Sequence, residues 1–245
     1  MPKDRFSDNS KLYAKFRPTY PQALFNFVLQ FVGKKQTAWD CGTGNGQVAQ
    51  VLAQHFGKVY ATDISQKQLD EAVQLPQIQY VYCNEKETPF QTQQFDLITV
   101  AQAIHWFNFN LFYQEVKRVA KQDAILAVWG YNLLKISPEI DAHILKFYTE
   151  KVGSFWDIER KHVEADYQTI PFPFEQIETP KFEMSFVWDL PTLEGYLNTW
   201  SSVGKFIKAN NYNPVNELID SLRHLWKQEE QKKVVFPIFM KLGQI

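Results

Sequence analysis

The feature that most constrains the fold of this chain is a regular alternation of short apolar runs with segments of helical spacing. The apolar runs predict five strands, at 37–41, 58–62, 78–82, 96–101 and 124–129. Helices are predicted around them, at 21–31, 47–56, 65–72 and 111–120. Strands that alternate with helices are typical of a parallel sheet that carries helices on both faces, so the sequence predicts an α/β fold.

Beyond residue 129 the alternation becomes irregular. A helix is predicted at 138–151, and the proline-aromatic stretch I-P-F-P-F at 170–174 indicates an insertion over the sheet. Two late strands are predicted at 183–188 and 233–240, with helical segments at 192–200 and 215–228 between them. No repeat, low-complexity tract or flexible linker interrupts the 245 residues, which favours one elaborated domain.

Composition and charge limit the classes of partner. Aromatic residues make up 16% of the chain, which excludes a disordered protein. The formal charge of −1, from 26 basic and 27 acidic residues, leaves no basic excess for a phosphate backbone, so no nucleic-acid partner is expected. Two cysteines fit a reducing compartment and are too few for a structural zinc site without histidines, so no metal is expected. Because no signal-like start and no long apolar run is present, we expect a soluble cytoplasmic protein without a membrane partner.

Between the first predicted strand and the next helix lies W-D-C-G-T-G-N-G, at 39–46, in which three glycines occupy alternate positions. Glycine at such positions lets a ligand touch the backbone and permits positive φ. Tight strand-to-helix turns that bind nothing also use glycine, so the pattern alone leaves both interpretations open.

Three residues around this loop narrow the choice of ligand. Gln47 stands where a dinucleotide fingerprint places its third small residue, which argues against a pyrophosphate cradle. Asp40, directly before the loop, would repel phosphate but suits a cationic group. Asp63 ends the second strand, where a carboxylate can accept both hydroxyls of a ribose. A nucleoside with a cationic, phosphate-free tail fits these residues, and S-adenosylmethionine is such a molecule.

Six stretches of the sequence carry a family resemblance. They are Y-A-K-F-R-P-T-Y-P at 13–21, W-D-C-G-T-G-N-G-Q at 39–47, A-T-D-I-S at 61–65, F-D-L-I-T-V-A-Q-A-I-H-W-F at 95–107, A-V-W-G-Y at 127–131 and G-Y-L-N-T-W-S at 195–201. They resemble class I S-adenosylmethionine-dependent methyltransferases of the type-11 group, and within it they are most similar to the subgroup that includes trans-aconitate methyltransferase.

The resemblance implies a fold and a domain plan. The expected fold is a Rossmann-like α/β sheet of seven strands, mostly parallel with an antiparallel last strand, with helices on both faces and a helical and aromatic insertion over the site. Residues 1–245 would form one methyltransferase domain. Its expected parts are an N-terminal cap segment at 1–35, a cofactor-binding core at 36–130, and substrate-side insertions at 131–180 and 189–230.

The resemblance also implies roles for single residues around the cofactor S-adenosyl-L-methionine. The glycine loop would line its methionine moiety with Asp40 near the amino group, Asp63 would hold the ribose hydroxyls, and Ile64 would pack on the adenine. Where the family often has an acidic residue followed by alanine, this chain has Asn84 and Glu85. The predicted cofactor-binding residues are Asp40, Gly42, Thr43, Gly44, Gly46, Asp63, Ile64, Asn84, Glu85, Ala101 and Gln102.

The methyl acceptor is expected beside His105 and Trp106, which follow the fourth strand. His105 could act as a general base, contact the cofactor or acceptor, or be structural. Arg17 could bind a carboxylate in bidentate fashion or form a surface salt bridge. Aromatic residues, Tyr131 and Trp156 among them, could form a pocket wall or belong to the core. The predicted acceptor-side residues are Tyr13, Arg17, Tyr20, His105, Trp106, Trp129 and Trp200.

The sequence thus predicts an S-adenosylmethionine-dependent methyltransferase that acts on a small molecule as a monomer or homodimer. The main hypothesis is O-methylation of a carboxylic acid, which is ionised at neutral pH and needs no base; an amine or phenol would need one, and His105 is the candidate. Two alternatives stay open: an NAD-dependent oxidoreductase, against which Gln47 argues, and a non-catalytic S-adenosylmethionine-binding protein of the same fold.

Overall fold

The computed structural model describes Phe16 and residues 18–245. The predictions for Tyr13 and Arg17 therefore lie outside the described residues. Within the described part of the chain, none of the helices combines the length and the apolar character that a membrane crossing requires.

Eight strands of the described residues form one sheet. They are β1 (Thr37–Cys41), β2 (Lys58–Asp63), β3 (Ile78–Tyr82), β4 (Phe95–Ala101), β5 (Ala120–Tyr131), β6 (Glu175–Ile177), β7 (Phe182–Trp188) and β8 (Lys232–Gln244). Their order is β3-β2-β1-β4-β5-β8-β6, with β7 also paired to β8. The first five strands pair in parallel, and β8 runs antiparallel to β5. The predicted α/β class, the mostly parallel sheet and its antiparallel last strand are confirmed.

The strand count differs from the expected seven because the outer edge of the sheet is split. β7 pairs with residues 232–238 of β8 and β6 with residues 242–244, both on the edge opposite β5. Residues 178–181 separate the two pieces and include Pro180, which has no N–H to donate to a ladder. The prediction of a single strand at 183–188 on this edge therefore misses the three-residue strand β6.

Helices flank the sheet. They are α1 (Gln22–Gln30), α2 (Gln47–Leu52), α3 (Gln66–Asp70), α4 (Phe109–Val119), α5 (Pro138–Lys146), α6 (Arg160–Glu164), α7 (Leu190–Leu197), α8 (Ser201–Asn210) and α9 (Val215–Leu222). The helix predicted at 138–151 changes its hydrogen bonding midway, because a π-helical turn at Phe147–Lys151 follows α5. Sequence reasoning missed α6, which is too short to show a period, and α8, which follows α7 after a short break.

The core has two apolar layers, one on each face of the sheet. Leu97 and Ile98 are consecutive in β4 and belong to opposite layers, because side chains alternate along a strand. Helix α4 packs against one of these layers. Its N-terminus is capped by the Asn108 side chain, which accepts a hydrogen bond from the Leu111 N–H at 3.2 Å. Its buried residues include Phe112 and Val116, one turn apart. This packing leaves the carboxyl ends of β1 to β4 as the edge where a ligand can enter.

Candidate active site

A cavity of about 470 Å³ lies at the carboxyl ends of β1 to β4. From β1 the sheet grows to one side through β2 and β3 and to the other through β4 and β5, and open α/β sheets bind ligands where the strand order switches in this way. The last residues of three strands line it, Cys41, Asp63 and Ala101, together with Cys83 just after the end of β3. A cavity of this volume is in the range of small-molecule and cofactor sites.

The glycine loop contributes to this cavity unequally. Gly44 and Gly46 have φ values of +56° and +82°, which side chains other than glycine adopt at a cost. Gly44 lines the cavity, and a Cβ there would meet nothing closer than the Gln68 Oε1 at 3.9 Å. A Cβ on Gly46 would lie 2.3 Å from the Tyr80 Oη, and Gly46 is outside the cavity lining. Gly46 is therefore required for packing, and Gly44 opens the backbone toward a ligand.

Asp40 is a buried carboxylate at the end of β1, with 1% of its surface exposed. It accepts hydrogen bonds from the Thr43 Oγ1 at 2.5 Å and the Thr99 Oγ1 at 2.9 Å. Burial nevertheless raises the pKa of Asp40 to about 6, and the nearby charge of Asp63 acts in the same direction. A carboxylate in this environment is stabilised in its charged form by a cationic partner.

Asp63 ends β2 and lines the same cavity. Its two carboxylate oxygens accept hydrogen bonds from the Gly44 N–H at 2.8 Å and the Ser65 N–H at 2.9 Å. The side chain therefore ties the glycine loop to the end of β2 and fixes the relative positions of the two parts of the site.

The other predicted cofactor residues divide into two groups. Gly42, Thr43, Ile64, Glu85, Ala101 and Gln102 line the large cavity, as do two predicted acceptor residues, Tyr20 and Trp106. Asn84 does not line it: its Oδ1 accepts from the Lys86 N–H at 3.1 Å and the Glu87 N–H at 2.9 Å, so it forms a turn.

Further lining residues were not among the predicted sites. They are Cys41, Asn45, Gln47, Val48, Thr62, Ser65, Gln68, Cys83, Ala103, Phe107 and Glu159. All of them except Glu159 are within a few residues of a predicted strand end or of the glycine loop. That proximity is the signal that could have found them, and Glu159 carries no such signal.

The residues present fit S-adenosylmethionine. Asp40 offers a buried negative charge to a cationic group, and Asp63 offers a carboxylate at the end of β2. The Gln68 Oε1 is buried at the cavity wall with no hydrogen-bond partner among the described residues. Since buried polar atoms are nearly always hydrogen-bonded, an unsatisfied amide oxygen indicates that a ligand belongs here.

A second, smaller cavity of about 50 Å³ adjoins the first and shares Gln102 and Trp106 with it. Gln102 has a φ of +54°, and its side chain bonds the backbone of Tyr131 twice: Nε2 donates to the carbonyl at 3.2 Å, and Oε1 accepts from the N–H at 2.8 Å. The end of β4 is thereby fastened to the end of β5. The other residues that line the smaller cavity are His105, Tyr131, Trp156, Asp157, Arg160, Tyr196, Trp200 and Ser201.

His105 is 5% exposed and lies in one turn of 3-10 helix, Ile104–Trp106, just after β4. Its Nδ1 is 2.9 Å from the Tyr167 Oη, and its ring centroid is 4.7 Å from that of Trp106. Trp200 lines the same cavity. Trp129 is fully buried, packs edge-on against Tyr20 at 5.6 Å, and lines neither cavity.

Arg160 is the cation that sequence reasoning missed. The first residue of α6, it stacks on Trp156 with its guanidinium carbon 4.7 Å from the ring centroid. Its Nε donates to the Tyr148 Oη at 2.9 Å, and Tyr148 in turn donates to Glu164 at 2.5 Å. Asp157, Tyr196 and Ser201 were also missed, because the helices that carry or adjoin them reach the site only through tertiary packing.

Comparison with known proteins agrees with this geometry. Residues 39–128 match the model of a methyltransferase domain, that of the type-11 group. A provisionally named methyltransferase of Dictyostelium discoideum is 33% identical over 98% of this chain and 95% of its own length. A protein of Saccharomyces cerevisiae, provisionally named an S-adenosylmethionine-dependent methyltransferase, is 28% identical over 57% of this chain and 50% of its own.

A solved structure extends the comparison to the fold. It is that of a provisionally assigned type II methyltransferase from Anaeromyxobacter dehalogenans, with a TM-score of 0.86 and 35% identity. The match covers 94% of this chain and 98% of the other. These findings favour S-adenosylmethionine over NAD as the cofactor, and an enzyme over a non-catalytic protein of the same fold. The chain therefore belongs to the class I S-adenosylmethionine-dependent methyltransferases.

Proposed function

We propose that this methyltransferase acts on a small organic acid and methylates one of its carboxylate oxygens. The observation that carries the proposal is the Arg160 guanidinium, which lines the small cavity directly beside the cofactor cavity. In this arrangement the small cavity receives the acceptor and the large one the methyl donor.

The electrostatics of the small cavity support an anionic acceptor. Among the described residues Arg160 forms no ion pair; its contacts are the Nε bond to Tyr148 and the stacking on Tyr148 and Trp156. The other charged lining residue, Asp157, is paired with the Lys205 Nζ at 2.7 Å. A guanidinium held through Nε keeps its terminal N–H groups in the fork that matches a carboxylate.

A carboxylate acceptor also requires no general base from the chain. When bound, S-adenosylmethionine supplies a methyl group on a sulfonium, which a carboxylate oxygen accepts to give a methyl ester and S-adenosylhomocysteine without loss of a proton. The chain has only to align the acceptor and exclude water. Trp106, Trp156 and Trp200 wall the cavity for that purpose, and its volume of about 50 Å³ suits a small functional group.

The family resemblance supports the same class of acceptor. Similarity to the trans-aconitate methyltransferase subgroup favours an acid that carries more than one carboxylate, so that one group binds Arg160 while another is methylated.

We further propose that 131–180 and 189–230 are substrate-side insertions of one domain. The lining residues Tyr131, Trp156, Arg160, Tyr196 and Trp200 all fall within them. The positions of Asp40 and Asp63 at the wall of the large cavity support the cofactor roles proposed for them.

The test is a methyl-transfer assay with labelled S-adenosylmethionine and a panel of mono-, di- and tricarboxylic acids, phenols and amines. An acid should be methylated to a base-labile ester. Arg160→Gln should raise its KM about 30-fold, as expected for the loss of about 2 kcal/mol of charge-assisted hydrogen bonding. Affinity for S-adenosylhomocysteine should not change.

Arg223→Gln is the matched control, because Arg223 is exposed and pairs with Asp220 at 3.0 Å, away from both cavities. It should leave KM unchanged. Turnover of phenols or amines alone, or an acid whose KM does not respond to Arg160→Gln, would contradict the proposal.

A further inference from the structure

His105 and Tyr167 form a buried hydrogen bond between their side chains. Tyr167 is fully buried, and burial raises the pKa of its hydroxyl well above the ordinary value, so at neutral pH the side chain carries its proton. Among the described residues, the Nδ1 of His105 at 2.9 Å is the hydrogen-bond partner of this hydroxyl. Within the part of the chain that the structure describes, the buried O–H therefore has one acceptor available to it.

This restriction decides the direction of the bond. If Nδ1 carried a proton and donated it to the phenol oxygen, the Tyr167 O–H would be a buried donor without an acceptor, which folded proteins avoid. If the O–H donates to Nδ1, both groups are satisfied. A neutral imidazole that accepts at Nδ1 carries its proton at Nε2.

We propose that Tyr167 is a positioning residue that holds neutral His105 in the tautomer protonated at Nε2. Whatever group meets Nε2 then meets a hydrogen-bond donor instead of a base. The assignment deepens the proposed function and rests on it in one respect, since a carboxylate acceptor needs a donor to orient its oxygen and needs no base. It reverses the role of general base considered for His105 from the sequence.

The backbone that presents Tyr167 is strained in the way that functional positions often are. Asp166 and Tyr167 are consecutive residues with φ of +49° and +59°, a conformation that persists only where the surroundings impose it. The Asn132 Nδ2 donates to the Asp166 Oδ1 at 2.8 Å, and the Tyr167 N–H donates to the His162 carbonyl at 2.8 Å. The Tyr167 ring packs edge-on against Phe239 at 4.8 Å.

The strained turn directly follows α6, whose first residue is Arg160. The guanidinium of the small cavity thus lies at the start of this short helix, and the partner of His105 lies in the turn just after its end. Both contacts with the acceptor side depend on the same element.

The test is nitrogen NMR of protein labelled at histidine, with S-adenosylhomocysteine bound. The chain has five histidines, and His105→Asn identifies the signals of His105 by their loss. The expected spectrum shows an unprotonated Nδ1 and a protonated Nε2. A protonated Nδ1 in the neutral ring would overturn the proposal, and this measurement on the unaltered protein needs no variant at Tyr167.

Variants supply the functional half of the test. Tyr167→Phe should mix the two tautomers and lower kcat about tenfold while affinity for S-adenosylhomocysteine stays the same. His105→Gln can place an amide donor near the position of Nε2, whereas His105→Asn can reach only the position of Nδ1, so the Gln variant should retain more activity. If the Gln and Asn variants are equally inactive, the donor role is wrong.

The two proposals can fail separately. If the tautomer is as expected but the acceptor proves to be an amine or phenol, the assignment of Tyr167 stands and the proposed function fails. If an acid is methylated but Nδ1 carries the proton, the reverse holds.

Discussion

The two cavities of this enzyme are neighbours built in different ways. The larger cavity, proposed for the cofactor, is formed mainly by short segments of chain at and just after the ends of β1 to β4, the glycine loop among them. The smaller cavity, proposed above for the acceptor, is formed mainly by large side chains from separate segments around residues 105, 131, 156–160 and 196–201. The first depends on the local conformation of the chain, and the second depends on how distant segments pack.

This difference predicts that substitutions can alter cofactor binding and acceptor binding independently. Changes at the strand ends should alter cofactor affinity or loop stability, whereas changes in the aromatic segments should alter acceptor kinetics alone.

Gly46→Ala should have the largest effect, on stability. The new Cβ would lie 2.3 Å from the Tyr80 Oη, at a residue with φ of +82°. We expect a loss of about 3 kcal/mol in the free energy of unfolding, measured with urea. Gly44→Ala is the matched control: with open space around its Cβ, it should lose only about 1 kcal/mol, from its φ. Equal losses in the two variants would show that packing constrains Gly46 no more than it constrains Gly44.

Asp63→Ala should have the next largest effect, on cofactor affinity. The change removes the carboxylate at the cavity wall together with its bonds to the Gly44 and Ser65 N–H groups. Calorimetric titration should show binding of S-adenosylhomocysteine weakened about 30-fold, or about 2 kcal/mol. Asp70→Ala, at the exposed end of α3, should bind normally. Normal binding by Asp63→Ala would place the ribose elsewhere.

Asp40 should make cofactor affinity depend on pH. In the unliganded protein its pKa is raised from 3.8 to about 6, so below pH 6 a cationic ligand must displace a proton. Affinity for S-adenosylhomocysteine should therefore rise as pH increases and level off above 6, with about a tenfold loss for each unit below it. Asp40→Asn should remove this dependence between pH 5 and 7. A slope that survives in the Asn variant must come from another group.

The same shift has a consequence for the unliganded protein. Because the folded pKa lies above the ordinary value, protonated Asp40 favours folding, and its contribution is complete below pH 3.8 and lost as pH rises through about 6. Comparing urea unfolding of the native protein and Asp40→Asn across that window measures the contribution.

Tyr148→Phe should have the smallest effect and confine it to the acceptor. It removes the oxygen that accepts from the Arg160 Nε, so the guanidinium is held less firmly. The KM for the acid should rise about fivefold, or about 1 kcal/mol, with no change in cofactor affinity. Tyr212→Phe, at an exposed residue, should behave as the native protein. If Tyr148→Phe weakens the cofactor instead, the two cavities are not independent.

The residues at the strand ends could be predicted because the sequence patterns that mark them are local. An apolar run, a glycine loop and the acidic residues Asp40 and Asp63 lie close enough in the chain for their spacing to predict a common edge. Asn84 misled the prediction because an amide that caps its own turn has no sequence signal to distinguish it from one that meets a ligand.

The residues of the smaller cavity were harder to predict from the sequence for a physical reason. Arg160 lies in a helix of five residues, and most of the other residues in its cavity come from the ends of β4 and β5 or from beyond residue 190. The three-residue strand β6 is likewise defined by its partner, β8, and not by its own period. Contacts made only by tertiary packing leave no pattern in a single sequence.

Glu159 and Arg160 are consecutive residues that line different cavities, Glu159 the larger and Arg160 the smaller. A substitution at either residue therefore reaches one cavity, whereas an insertion or deletion between them would displace side chains in both. On the proposed assignment of the cavities, a change of chain length at this point would alter donor and acceptor binding together, which no single substitution here does.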